Sequence, residues 1–102
     1  MKTWETYLVE HYRPGASFDD LNSAVREVRL AAAEMARRRR PVRCVHYTIV
    51  LSDEALLALF EATSEELVRE VYAHAGVPFE RITGAVSLDA AVDSLASPKG
   101  AR

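Results

Sequence analysis

The segment from Val42 to Ala62 constrains the fold of this chain most, because it has the pattern of a β-hairpin whose second arm is apolar on both faces. We predict the first arm over Val42–Leu51 and the second over Ala55–Glu61, joined by a short turn between them. The second arm contains a nearly unbroken run of Ala, Leu and Phe residues. A strand that is apolar on both faces is typical of the centre of a sheet that is covered on both sides.

One further strand is predicted before this hairpin in the sequence and one after it. Trp4–Tyr12 is rich in aromatic and β-branched residues and stops at the turn-forming pair Pro14 and Gly15. Arg81–Leu88 has the same strand-like composition and completes the set. We therefore predict four strands, with strand one and strand three in the centre of the sheet.

Two amphipathic helices separate these strands. Phe18–Arg38 begins with a capping-box pattern at Ser17 and Asp20, and its apolar residues recur every three or four positions. Ser64–Ala75 is preceded by a second such pattern, Thr63 and Glu66. The apolar stripes comprise Leu21, Val25, Val28, Ala32 and Met35 in the first helix, and Leu67, Val68, Val71, Tyr72 and Ala75 in the second.

The order strand, helix, strand, strand, helix, strand predicts an α+β fold of the ferredoxin-like βαββαβ type, with a four-stranded antiparallel sheet and both helices on one face. We expect one domain over residues 1–96, with one or two more helical turns at Asp89–Leu95, and a flexible tail over residues 97–102. The uncovered face of the sheet then needs a partner. We expect a homodimer in which two such sheets face each other, that is, a dimeric α/β barrel.

Composition limits the partners and the compartment. The chain has 102 residues and a formal net charge of −2, which offers no general attraction to nucleic acid or to a membrane surface. The run Arg37–Arg40 complements the dipole at a helix C-terminus, which is a simpler explanation than a nucleic-acid patch. There is no apolar run long enough to span a membrane. The single cysteine, Cys44, indicates a cytoplasmic protein without a disulfide framework.

Cys44 and His46 are candidate metal ligands. They are two residues apart in a predicted strand, so we expect both side chains on the same face, where they could chelate one ion. His11, on an adjoining strand, or a second protomer would have to supply the remaining ligands. The alternative is that His46 is a hydrogen-bonded histidine in the interior or at an interface.

Four residues are candidates for catalysis: His46, Tyr47, Glu61 and Glu10. In this hypothesis His46 is the general acid or base, a glutamate orients it or moves a proton, and Tyr47 donates a hydrogen bond to a substrate oxygen. Glu61 ends an apolar strand, where burial would raise its pKa. The alternative is that its negative charge is stabilised by the dipole at the start of the following helix. Candidates for ligand binding are Tyr7, His11 and Tyr12. Tyr7, like Trp4 and Tyr47, could instead pack in the dimer interface, which is the commoner role for a single aromatic residue.

From Tyr7 to Leu88 the chain resembles a bacterial family of small ferredoxin-like proteins described, from a founding member, as nickel-binding. The matching segments are Tyr7-Leu-Val-Glu10, Tyr12, Pro14-Gly15, Pro41-Val42-Arg43, Asp53-Glu54-Ala55, Leu59-Phe60-Glu61-Ala62 and Ala75-Gly-Val-Pro-Phe-Glu-Arg-Ile82. The resemblance implies the ferredoxin-like fold, a dimer and a divalent metal. Relatives often carry two cysteines where this chain has Leu56 and Ala58, and small residues where it has His46 and Tyr47, so this is a divergent member.

These observations leave three functions open. The first is a cofactor-independent enzyme for a small organic molecule, such as a cyclase, an isomerase or a monooxygenase-like protein of bacterial specialised metabolism. The second is a protein that binds nickel or another divalent transition metal without catalysis, through His46, Cys44 and His11. The third is a structural or ligand-sensing dimer. The sequence has no Gly-rich phosphate loop, nucleophile elbow or CxxC motif, which argues against nucleotide chemistry and serine hydrolysis.

Overall fold

The structure, a computed structural model, describes residues 3–86 and residue 88. In this part of the chain the elements follow in the predicted order: β1 (Glu5–Tyr12), α1 (Phe18–Arg37), β2 (Val42–Val50), β3 (Ala55–Ala62), α2 (Glu65–Ala75) and β4 (Arg81–Ala85). A short 3-10 turn, Leu51–Asp53, connects β2 to β3. β4 ends three residues before the predicted Leu88. The helical turns predicted at Asp89–Leu95 and the tail at 97–102 lie outside the described residues.

The four strands form one antiparallel sheet in the order β2-β3-β1-β4. β1 and β3 are therefore the central strands, which confirms the prediction for both. The sheet order and the two helices confirm the ferredoxin-like α+β fold. None of the described helices is long and apolar enough to cross a membrane.

Both helices pack against one face of the sheet, which we call the helix side. Along β1 the helix side receives Tyr7, Val9 and His11, and His11 contacts Tyr72 of α2. Phe60 of β3 contacts the same tyrosine, with ring centroids 5.7 Å apart. Because side chains alternate along a strand, the remaining helix-side residues of β3 follow from the register: Leu56, Ala58 and Ala62. The buried core lies in this layer between sheet and helices.

The two helices start differently. The Ser17 hydroxyl accepts a hydrogen bond from the Asp20 N–H at 3.1 Å, and the Asp20 carboxylate accepts one from the Ser17 N–H at 3.0 Å, so the capping box predicted for α1 is confirmed. The box predicted from Thr63 and Glu66 is wrong. The Thr63 N–H donates instead to the Pro41 carbonyl at 3.2 Å, and α2 begins one residue later, after Ser64, whose side chain makes no capping bond.

The other face of the sheet, which we call the open face, carries no layer of described residues. It receives Thr6, Leu8, Glu10 and Tyr12 from β1 and Ala55, Leu57, Leu59 and Glu61 from β3. β3 is therefore apolar on both faces, as predicted, but the described part of the chain covers only one of them. Leu8, Leu57 and Leu59 are half-buried by their neighbours within the sheet.

Candidate functional site

A β-bulge in β2 decides which candidate residues can meet. Cys44 pairs with Phe60 and His46 pairs with Leu59, so Val45 is an extra residue without a partner in β3. Phe60 and Leu59 lie on opposite faces of the sheet. The expectation that Cys44 and His46 share a face is therefore wrong, because the extra residue shifts the two-residue period of the strand by one. Cys44 is on the helix side and His46 is on the open face.

The candidates accordingly divide between the two sides of the sheet. The open face receives His46, Glu10, Glu61 and Tyr12, and the helix side receives Tyr47, Tyr7, His11 and Cys44. His46 and Tyr47, which the catalytic hypothesis places on one substrate, point to opposite sides. The structure brings His46, Glu10 and Glu61 onto one surface and does not bring Tyr47 to it.

His11 is sealed in the core. Only 1% of its surface is exposed, its Nε2 atom lies 2.8 Å from the Tyr72 hydroxyl, and its Nδ1 atom has no partner in the described part of the chain. Burial away from water, and secondarily the charge of Arg13, lower the pKa of His11 to about 4. The imidazole is therefore neutral at pH 7 and is out of reach of a ligand on the open face.

Cys44 and Tyr47 lie next to each other under α1. The Cys44 thiol is 3.6 Å from the Leu59 carbonyl oxygen, and burial raises the pKa of this thiol. The Tyr47 hydroxyl is buried and has no hydrogen-bond partner among the described residues. Burial, followed by the neighbouring thiol, raises the pKa of Tyr47. A thiol that stays protonated is a poor metal ligand.

Glu10 organises one corner of the open face. Its Oε2 atom accepts hydrogen bonds from Nε and Nη2 of Arg81, at 2.9 and 2.7 Å, and its Oε1 atom accepts one from the Tyr12 hydroxyl at 3.1 Å. These bonds, chiefly those from Arg81, hold the pKa of the Glu10 carboxyl below its usual value despite its burial. Glu10 is thus a carboxylate that positions an arginine and a tyrosine.

Glu61 occupies the diagonally opposite corner. Its Oε1 atom accepts hydrogen bonds from Nε and Nη2 of Arg43, at 2.8 and 2.5 Å. The Arg43 guanidinium also lies 5.4 Å from the centroid of the Trp4 ring, within the range of a cation–π contact. Glu61 is therefore part of an ion pair and is not an isolated carboxylate on an apolar strand.

The two corners are related by the internal repeat of the fold. Glu10 and Arg81 are register partners, as are Glu61 and Arg43, and Leu8 pairs with Leu59 midway between them. A two-fold rotation through that central pair exchanges the two ion pairs. Sequence reasoning missed both arginines, because only the strand register places each opposite its glutamate. The open face thus has an aliphatic centre, an ion pair at each of two corners, and His46 beside Leu59.

The predicted metal ligands are not brought together in the described part of one protomer. The described residues contain no group of three or more His, Cys, Asp or Glu side chains that could hold a metal ion. Of the three predicted ligands, His11 is sealed in the core, Cys44 faces α1, and His46 is on the opposite side of the sheet. The metal site assembled from these three residues is therefore incompatible with the geometry.

Comparison with known proteins identifies the family. A family model described as "Nickel responsive protein SCO4226-like" matches residues 7–84. No curated protein matches the chain. The crystal structure of SCO4226 from Streptomyces coelicolor A3(2) matches with a TM-score of 0.61 at 20% identity, covering 82% of this chain and 98% of that chain, which supports the fold. Because the family model spans most of the sequence, the chain belongs to the nickel responsive SCO4226-like family.

Proposed function

We propose that the protein is a homodimer whose two open faces enclose a chamber for a small ligand. The observation that carries this proposal is the aliphatic centre of the open face, Leu8, Leu57 and Leu59, on central strands with no described layer above them. Burying apolar surface is the main favourable term in protein association. A second copy supplies an equally apolar face of the same size.

The charges on the open face favour association with a second copy. Each of its two charged corners contains one glutamate and one arginine, and both are paired within the protomer. Two copies therefore face each other without a large area of like charge, which would oppose a symmetric interface. The arginines remain largely exposed, with 68% of each side chain accessible, and can contact a partner or a ligand.

The chamber would suit a small organic molecule with an anionic or carbonyl oxygen. Arg81, held by Glu10, is the hydrogen-bond donor at one end, where the Tyr12 hydroxyl, which donates to Glu10, can still accept a hydrogen bond. His46 offers an exposed imidazole on the same face. In a cofactor-independent reaction His46 is the acid–base candidate, with Glu10 and Glu61 as positioning residues. Tyr7, His11 and Tyr47 lie behind the sheet and would support its packing. The free cysteine favours action in the cytoplasm.

Native mass spectrometry of the untagged protein tests the dimer and the ligand together. We expect a dimer, and Leu59→Glu should convert it to a monomer because it places a carboxylate in the apolar centre. Leu30→Glu, which alters an exposed leucine on α1, is the matched control and should leave the dimer intact. A monomeric wild-type protein at micromolar concentration, or a dimer that survives Leu59→Glu, would contradict the proposed interface.

Nickel binding is a second candidate, favoured by the family to which the chain belongs. Because the described residues of one protomer lack a metal site, the ligands would have to come from two protomers or from residues beyond the described part. His46, exposed on the open face, is then the available imidazole. Equilibrium dialysis of the dimer with Ni²⁺ tests this, and His46→Ala should abolish binding while His74→Ala, on α2, should not. Dialysis that detects no bound Ni²⁺ would eliminate this candidate.

A further inference from the structure

We propose that the outward surface of α1 carries a binding site for a small phosphate monoester, formed by the side chains of Asn22, Arg26 and Arg29. All three side chains are exposed on the helix layer, and the open face lies on the other side of the sheet. The site is therefore independent of the proposed chamber and of the homodimer.

The three residues lie on one stripe of the helix. They are spaced by four and then three positions, so their side chains are neighbours on the helix surface. The side chains of a helix lean towards its N-terminus, which directs Arg29 towards Arg26 and Arg26 towards Asn22. A groove of about 380 Å³ follows this stripe and is lined by Asn22, Val25, Arg26, Arg29, Leu30 and Ala33. Its volume is sufficient for a small ligand.

The positive charge of this groove is not compensated within the described part of the chain. Six other arginines form ion pairs there, but Arg26 and Arg29 form none. The positions three and four residues away from either arginine hold no acidic side chain; they are Asn22, Ser23, Val25, Arg26, Arg29, Leu30, Ala32 and Ala33. Because like charges on neighbouring positions of a helix repel each other, a bound anion would stabilise this pair of arginines.

The hydrogen-bond donors fit a phosphate group better than a carboxylate. One guanidinium engages both oxygens of a carboxylate and neutralises its single charge, so the second arginine would remain uncompensated. A phosphate monoester has three strong acceptor oxygens and carries a charge of about −1.5 to −2 at pH 7. The side-chain amide of Asn22 supplies a further donor at the N-terminal end of the stripe. Two cations and an amide thus match a phosphate dianion in charge and in number of donors.

Apolar side chains beside the stripe suit the organic part of such a ligand. Leu30 borders the groove with 60% of its surface exposed, and Val25 and Ala33 contribute further apolar surface. An organic group attached to the phosphate would cover this surface while the phosphate contacts the two arginines. Inorganic phosphate gains only the polar contacts and should therefore bind less tightly than a monoester.

Titration of the isotope-labelled full chain by NMR tests the site, with phenyl phosphate as the ligand and benzoate, which carries the same ring on a carboxylate, as the comparison. We expect phenyl phosphate to shift the side-chain N–H signals of Asn22, Arg26 and Arg29 and to bind at least about tenfold more tightly than benzoate. Absence of binding, equal affinities, or shifts confined to the open face would overturn the proposal. Vesicles containing phosphatidic acid present the same group on a lipid surface, and binding to them without binding to phenyl phosphate would likewise contradict a small ligand.

Arg29→Gln and Arg39→Gln form a matched pair of variants, because each removes one positive charge from an arginine that has no ion pair in the described part of the chain. Arg39 follows the end of α1 and does not line the groove. Arg29→Gln should weaken the binding of phenyl phosphate at least about tenfold, whereas Arg39→Gln should leave the affinity unchanged. Equal weakening by the two variants would indicate a general attraction to positive charge and would refute the site. Both arginines are exposed, and circular dichroism of each variant checks that it is folded.

Discussion

At the scale of single residues, the two sides of the sheet give similar side chains opposite properties. His11 and His46 were both candidate ligands, but His11 is enclosed by α2 and the central strands, whereas His46 is exposed on an edge strand. Glu10 is a buried carboxylate and yet its pKa is lowered, because Arg81 and Tyr12 donate hydrogen bonds to it. The immediate partners of each group, more than its residue type, determine its chemistry.

The buried imidazole of His11 makes the stability of the protein sensitive to acid. Its pKa is about 4 in the folded state and about 6.5 when unfolded, so the unfolded chain binds more protons between these values. The free energy of unfolding should therefore be highest above pH 6.5 and should fall as the pH drops towards 4, by up to roughly 3 kcal/mol in total.

Urea unfolding at pH 7 and pH 5 measures this loss. His11→Phe should flatten the pH dependence in that window, even though it also leaves the Tyr72 hydroxyl without its partner. His74→Ala, which removes an exposed histidine in the last turn of α2, should retain the wild-type slope. The slope above pH 5 separates this effect from that of Glu10, whose lowered pKa affects stability only at lower pH. An unchanged slope in His11→Phe would refute the assignment.

At the scale of secondary-structure elements, one local feature sets the geometry of the candidate site, and another fixes the start of α1. The bulge at Val45 places His46 on the open face, and the continuous register beyond it aligns β2 with β3. The reciprocal hydrogen bonds between Ser17 and Asp20 fix the residue at which α1 begins. α2 relies on other interactions, because Ser64 makes no side-chain capping bond.

Because the two helices start differently, the same Ser-to-Ala substitution should lower the free energy of unfolding by different amounts in each. Ser17→Ala removes an acceptor for a helix N–H and should lower the free energy of unfolding by about 1 kcal/mol. Ser64→Ala, at the equivalent position of α2, should cost less than about 0.5 kcal/mol because no such bond is lost. Chemical denaturation of both variants under the same conditions provides the comparison. Equal costs would mean that the capping box contributes nothing specific to α1.

At the scale of the whole molecule, the two described helices cover only one of the two faces of the sheet. The core between sheet and helices is well filled, with large side chains such as Tyr72 and Phe60 almost fully buried. The open face has no comparable cover in the described part of the chain, although its centre is aliphatic. This asymmetry is the physical reason for the proposed homodimer.

A dimer that contributes to stability makes the melting temperature depend on protein concentration. Because association stabilises the folded chain by mass action, Tm should rise as the concentration of wild-type protein increases. The Leu59→Glu variant should lose this dependence, while Leu30→Glu should keep it. Differential scanning calorimetry over a wide concentration range makes the measurement. A wild-type Tm that is independent of concentration throughout would argue against the dimer.

Local patterns in the amino-acid sequence are enough to predict the order of the elements and the fold of this chain. Apolar residues at spacings of three and four mark α1 and α2, and the apolar run of β3 marks a central strand, because periodicity and burial are local properties of the chain. The resemblance to a nickel-related family was also evident from sequence and is confirmed. The Ser17–Asp20 cap was predictable for the same local reason, whereas the box predicted at Thr63 is wrong because α2 starts after Ser64 and the Thr63 N–H is bonded to the Pro41 carbonyl.

Which candidate residues share a surface, by contrast, follows from the three-dimensional structure alone. The extra residue Val45 breaks the alternation of side chains along β2, so residues before it lie on the face opposite to the one that a regular strand would give them relative to His46. No feature of the sequence marks Val45 as a bulge. The pairing of Glu10 with Arg81 and of Glu61 with Arg43 likewise depends on registers between strands distant in sequence. The two-residue period of side chains along a strand is a local property, whereas the register between strands is fixed by the packing of the whole sheet. The residues of the candidate site are brought together by that register.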